Sequence, residues 1–201
     1  MIDYFESCMD FSPLFENNCS LYLEKSNFRT KQCENVKTVE FITLCQKKQI
    51  LYFIEAKRTA PDPNNPENKE EIFKYYQDLF EKMQQSLDMY ISKEVGVNID
   101  EDNEFPTCFN ESEFSCYKLT FILIVKNSEK RWRDDVREKI CKKLHSLRKI
   151  WQLEVLVLTG AEAISKGFVA SFVCKSDDSN WNGYDNCPRS ACIQPKTKAM
   201  D

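Results

Sequence analysis

The sequence predicts an α/β fold built on a mixed sheet, and three stretches of it carry that prediction. Residues 38–45 and 49–57 are apolar runs of strand length, separated by a polar break around Gln46, Lys47, Lys48 and Gln49. Such a pair reads as an antiparallel hairpin. Residues 117–126, Tyr-Lys-Leu-Thr-Phe-Ile-Leu-Ile-Val-Lys, are almost continuously apolar, as befits a central strand covered on both faces. A further apolar run at 153–159 follows a helical segment. The order strand, helix, strand, helix requires a crossover between parallel strands, so this half of the sheet is parallel and flanked on both faces.

The remaining elements follow in chain order. Phe11, Leu14, Phe15, Cys19 and Leu23 recur at roughly helical spacing, and Ser12-Pro13 could open a helix, so residues 5–25 are expected to be helical. After the hairpin, three prolines between Pro61 and Pro66 dictate an extended loop. Ile72, Tyr75, Tyr76, Leu79, Met83, Leu87 and Tyr90 trace one face of a long helix over 68–94. Residues 96–115 are acidic and irregular, and are expected to lie away from any polyanion. Ser128 is placed to cap a basic helix whose core stripe is Trp132, Val136, Ile140, Leu144 and Leu147. Residues 161–168 read as a short helix. The chain is read as one domain over 1–174 with an irregular tail over 175–201.

Composition narrows the function. The 201 residues are 42% hydrophobic and 30% charged, enough for a sizeable core under a well-solvated surface. Only four glycines are present. Neither G-x-x-x-x-G-K-[ST] nor G-x-G-x-x-G occurs, which excludes nucleotide binding by those phosphate loops. No G-x-S-x-G elbow occurs either. The net charge of −4 is unevenly spread: residues 126–149 hold ten Lys or Arg against four acids. Local basic surface of this kind matters more for nucleic-acid contact than the total charge. The single histidine, His145, excludes a His-rich metal site and reads as a helix-surface or packing residue.

The ten cysteines include no C-x-x-C, and their irregular spacing does not favour structural zinc. No apolar signal segment opens the chain and no run approaches membrane-spanning length. The expectation is a cytoplasmic protein, without membrane contact, whose cysteines are free thiols.

The chemistry concentrates in the hairpin. Its first run carries Glu40, and its second ends in Glu55-Ala56-Lys57. Strand side chains alternate, so Glu55 and Lys57 project from one face. Charges at the end of an apolar strand are costly to desolvate unless something engages them. A divalent cation between Glu40 and Glu55, with Lys57 beside it, would do so. The bland alternative is an edge-strand charge pair facing water.

This pattern resembles the PD-(D/E)XK nuclease superfamily, in which an acidic strand residue precedes a hairpin and a (D/E)-x-K triplet. The resemblance is best between about residues 35 and 60 and extends more weakly to about 168. Glu rather than Asp stands at the first acidic position, no Pro precedes it, and no Gln-x-x-x-Tyr motif is present, Gln85 and Tyr90 being five apart. The resemblance implies a restriction endonuclease-like core, a three-layer α/β/α sandwich around a mixed sheet. It implies a nuclease dependent on Mg²⁺ or Mn²⁺, acting on DNA in preference to RNA, in defence or DNA processing. Catalysis would fall to Glu40, Glu55 and Lys57, with the metal held by Glu40, Glu55 and the Ala56 carbonyl. The first helix of this family sometimes adds a carboxylate, for which Glu16 and Glu24 are the candidates. Arg58, Lys130, Arg133 and Arg137 are the expected phosphate contacts. A homodimer or larger complex is left open. The alternative on the same fold is an inactive subunit that binds nucleic acid or a protein partner.

Overall fold

The computed structural model describes residues 4–16, 19–32, 35–62, 66–98, 100–111, 113–128 and 130–172. The tail expected over 175–201 lies outside these described residues.

The N-terminal segment departs from the helical expectation. It forms a small hairpin of β1 (Phe5–Glu6) and β2 (Met9–Asp10), then a 3₁₀ turn at Ser12–Phe15, a short strand β3 (Ser20–Tyr22) and a second 3₁₀ turn at Leu23–Lys25. Ser7 and Cys8 both take positive φ, which closes the tight turn between β1 and β2. The apolar residues that mimicked a helical stripe are buried instead by these short elements: Phe11 and Leu14 pack with Met9 on one face of the main sheet, and Leu23 with Leu21 on the other. A helix α1 (Asn27–Gln32) follows.

The hairpin forms, but its first strand begins at Phe41 and not at residue 38, so Glu40 stands one residue before it. β4 (Phe41–Cys45) pairs antiparallel with β5 (Ile50–Lys57), and Gln49 closes the link in a left-handed conformation. β3 adds to the free edge of β4, also antiparallel. The long helix α2 spans Lys69–Glu94. β6 (Lys118–Val125) runs parallel to β5, and β7 (Glu154–Thr159) parallel to β6. The basic helical segment is divided at Leu144 into α3 (Lys130–Lys143) and α4 (His145–Trp151), and α5 (Gly160–Ser165) follows β7. The capping box between Thr159 and Glu162 opens α5. The result is one five-stranded mixed sheet in the order β3-β4-β5-β6-β7.

Strand alternation divides the core in two. Leu51, Phe53, Leu119, Phe121 and Leu123 face α2, α3 and α4, together with Leu79, Met83, Val136, Ile140 and Leu147. Ile54, Ala56, Ile122 and Ile124 face the other way, onto the N-terminal segment, α5 and Val169. Seven of the eight β6 residues are buried, which fits its central position. Among the described residues no helix is long and apolar enough to cross a membrane.

One expectation about the cysteines is overturned. Cys19, just before β3, and Cys108, in the acidic loop, form a disulfide with their Cα atoms 6.0 Å apart and 89 residues of separation. Sequence spacing alone cannot show such a pairing, because the fold brings together residues 89 apart in the chain. Cys8, Cys45, Cys116 and Cys141 are free. Cross-linking so long a loop restricts the unfolded chain, so Cys108→Ser is expected to cost about 2–4 kcal/mol. Urea denaturation without reductant measures this, and a loss below about 1 kcal/mol would contradict the stabilising role.

Candidate metal centre

The site lies where β4 begins and β5 ends. Phe41 pairs with Ile54. Continued by one residue, that register sets Glu40 opposite Glu55, with both side chains directed to the α2 side of the sheet. Antiparallel pairing brings such side chains within reach of each other. Glu40 is 3% exposed and Glu55 fully buried. Lys57, two residues on, shares the Glu55 face and reaches it: its Nζ lies 2.7 Å from Glu55 Oε1. Asp78 of α2 lies 3.9 Å from the same ammonium. The three residues singled out by the hairpin motif therefore lie together, with Glu40 and Glu55 buried and Lys57 partly exposed, on an interior strand and not as an exposed edge-strand pair.

Four further side chains complete the cluster. Lys82 descends from α2 and places its ammonium 2.9 Å from Glu55 Oε1, 3.4 Å from Glu40 Oε1 and 3.6 Å from Glu24 Oε1. Glu24 comes from the 3₁₀ turn after β3, the backbone of which bonds to Glu40 through Glu24 N–H and the Glu40 carbonyl. Glu6 of β1 accepts from the Tyr22 hydroxyl at 2.7 Å. One carboxylate oxygen from each of Glu6, Glu24 and Glu40 lies within 4.8 Å of the others. Of the two candidates for an added carboxylate, Glu24 thus stands in the cluster, whereas Glu16 is exposed at the end of the first 3₁₀ turn. The Ala56 carbonyl, the backbone ligand implied by the resemblance, accepts a hydrogen bond from the Ser7 hydroxyl at 3.1 Å.

Such crowding of buried carboxylates demands positive charge. As carboxylates, Glu40 Oε2 and Glu55 Oε2 are buried without a hydrogen-bond donor. Burial, a hydrogen bond with Glu24 and the charge of Glu55 push the Glu40 carboxyl up to about 10. Burial also raises Glu55, against the pull of Lys82 and Lys57. Glu24 goes the other way: its partial burial is outweighed by the hydrogen bond from Glu40 and the charge of Lys82, which hold it below the usual range. Burial would lower Lys82, yet the charges of Glu55 and Glu40 hold it above its ordinary value. A proton shared between Glu24 and Glu40 and the Lys82 ammonium thus supply part of what a cation would. A buried Glu55 oxygen without a donor, beside the Glu24–Glu40 pair and in a set made only of oxygen ligands, fits a hard divalent ion that would displace the shared proton.

The sign of the Glu40 shift gives a testable pH dependence. A carboxyl raised in the folded state stabilises the fold fully below its unfolded value near 4.5, and that contribution is lost as pH rises towards about 10. Glu40→Gln keeps the neutral shape and removes the titration. The melting temperature of metal-free wild type is therefore expected to fall more steeply than that of Glu40→Gln between about pH 5 and pH 10. Parallel curves would contradict the shared-proton description.

The expected phosphate contacts are placed unevenly. Arg58 follows β5 directly, and its carbonyl accepts from Asn127 N–H at 2.9 Å, so it stands at the same sheet edge as the cluster. Lys130 is the first residue of α3 at that edge. Arg133 pairs with Glu162 at 2.7 Å and with Asp134 at 3.3 Å. Arg137 donates to the Val155 carbonyl at 3.0 Å, and so braces α3 on β7. His145 is exposed at the start of α4, as expected.

Lys82, Glu6 and Tyr22 are the members of the cluster that the sequence reading did not name. Lys82 did leave a signal. It falls on the buried stripe of α2, three residues after Leu79 and one before Met83, where a charge needs a partner. Glu6 and Tyr22 belong to strands of two and three residues, too short to show a period.

No family model, no curated protein and no solved structure matches the chain.

Proposed function

We propose that this chain is a metal-dependent nuclease of the PD-(D/E)XK kind, cutting phosphodiester bonds in DNA in preference to RNA. The observation that carries the reading is the convergence of Glu40, Glu55 and Lys57 at neighbouring strand ends, with Glu55 Oε2 buried among them without a donor. The sheet order supports it, antiparallel on one side of β5 and parallel on the other, as does packing on both faces in the manner of a three-layer sandwich.

Glu40 and Glu55 would hold Mg²⁺ or Mn²⁺, with Glu24 as a further carboxylate and the Ala56 carbonyl beside them. When bound, the ion supplies Lewis-acid polarisation of the phosphate and lowers the pKa of water. The Lys57 side chain is 26% exposed, against 10% for Lys82, so its ammonium has access to solvent. From there it faces an incoming phosphate and stabilises the charge that builds on it. Glu55 orients Lys57 through their contact, and Asp78 flanks it from α2. Arg58, which follows β5 directly, would contact the backbone of the nucleic acid without reading its sequence.

A second reading is favoured by one observation. The Lys82 ammonium already sits among Glu24, Glu40 and Glu55. It partly neutralises them without an ion, as an inactive nuclease-fold subunit binding nucleic acid or protein would require. Cleavage of plasmid and single-stranded DNA with Mg²⁺ or Mn²⁺, wild type beside Lys57→Ala, decides between the two. Metal-dependent cutting that fails in the variant supports the nuclease. No cutting with either metal, or equal cutting by both chains, supports the binding subunit.

A further inference from the structure

Lys82 is the charged group that cation binding leaves without a role. It is 8% exposed on α2, bracketed by buried Leu79, Met83 and Ser86. Its nitrogen lies within 3.6 Å of carboxylate oxygens from three separate elements: Glu24 after β3, Glu40 before β4 and Glu55 in β5. The oxygens that would bind the ion are thus gathered round an ammonium. A divalent ion and an ammonium cannot share that point, because like charges in a buried site repel strongly.

We infer that Lys82 is a tethered counter-cation that stands in the divalent ion's place and withdraws when the ion binds, so that it sets the affinity of the site. The inference rests on the reading of this cluster as a metal centre. A lysine suits the part: it is a compact charge on a flexible four-carbon stem. It also has somewhere to go. Asp78 lies one turn earlier on the same helix face, four residues before Lys82, the spacing at which an acid and a lysine pair, and there Lys82 would join Lys37, 3.1 Å from Asp78 Oδ1, and Lys57, 3.9 Å from Asp78 Oδ2. The Asp78 side chain is 35% exposed, so the route leads towards water. In the closed arrangement Lys82 prevents the carboxylates from repelling one another. In the open one it leaves their oxygens to the ion.

The test is binding of Mn²⁺ alone to the full chain, read from the electron paramagnetic resonance signal of free Mn²⁺, for wild type and Lys82→Met. The methionine keeps the length and removes the charge. Binding at least about tenfold tighter in the variant is expected. Equal or weaker binding in a folded variant, with wild type still binding, overturns the inference and leaves the metal centre standing. Binding in neither chain overturns both. Should Lys82→Met fail to fold, labelling of the wild-type lysines with an acetylating reagent, followed by mass spectrometry, settles the matter. Lys82 labelling is expected to rise severalfold on saturation with Mn²⁺, and labelling that stays level or falls overturns the inference.

Discussion

Glu55→Gln is expected to reduce metal-dependent cleavage by roughly 10²–10³-fold or more, the range seen when one charge-stabilising group is removed from a preorganised site. Glu55 is the best-buried member of the cluster and the only one that touches both Lys57 and Lys82. On the proposed nuclease reading, its replacement would remove a metal ligand and unlock Lys57 in one step, so both binding of the ion and placement of the phosphate would suffer. The amide has nearly the volume of the carboxylate, and Lys82 keeps Glu40 and Glu24 as partners. The fold should therefore survive, which far-UV circular dichroism would verify. Initial rates on a fluorescent DNA substrate across a Mn²⁺ series measure the effect. A loss under about tenfold would place the chemistry elsewhere.

Phe121→Ala is expected to be the most destabilising single core truncation, at about 3–5 kcal/mol. Phe121 is fully buried on β6, the strand bracketed by β5 and β7, and it faces the core shared with α2 and α3. The ring fills space between layers that cannot close up, because strands lie on both sides of it and helices lie over it. Domains of this kind are stable by only about 5–15 kcal/mol, so the loss is a large fraction of the whole. The urea midpoint should fall with little change in slope. A cost under about 1 kcal/mol would mean that β6 is not the rigid centre of the sheet. The site depends on that rigidity, since β6 pairs with β5 through Glu55 and Lys57 themselves.

The sequence exposed the parallel half of the sheet because burial on both faces writes a continuous apolar run, as in β6, with only Lys118 exposed. It exposed the hairpin because the polar break sits between two runs of fixed length. Glu55 and Lys57 were legible for a related reason: charges that end an apolar strand stand out against it. The N-terminal segment was not legible. Its strands are two or three residues long, and its turn uses Ser7 and Cys8 at positive φ where a glycine would have announced it. Apolar positions spaced to cover a sheet through such short pieces mimic a helical stripe. The disulfide between Cys19 and Cys108 lay beyond reach because pairing is set by tertiary proximity. The division of the basic segment at Leu144 was missed because no glycine or proline marks it. Arg133 and Arg137 were named as phosphate contacts on charge alone, and their protein partners, Glu162 and the Val155 carbonyl, were not legible because they come from elements distant in sequence. Lys82 lies between these cases. It was visible as a charge on a buried stripe, and only the fold shows which carboxylates it serves.

The most direct test is anomalous diffraction from crystals of the wild-type chain grown with Mn²⁺. The account predicts an anomalous peak between Glu40 and Glu55, with Glu24 at its side and the Lys82 ammonium withdrawn towards Asp78. Crystals saturated with Mn²⁺ that show no peak there, with Lys82 still between Glu24, Glu40 and Glu55, would contradict it.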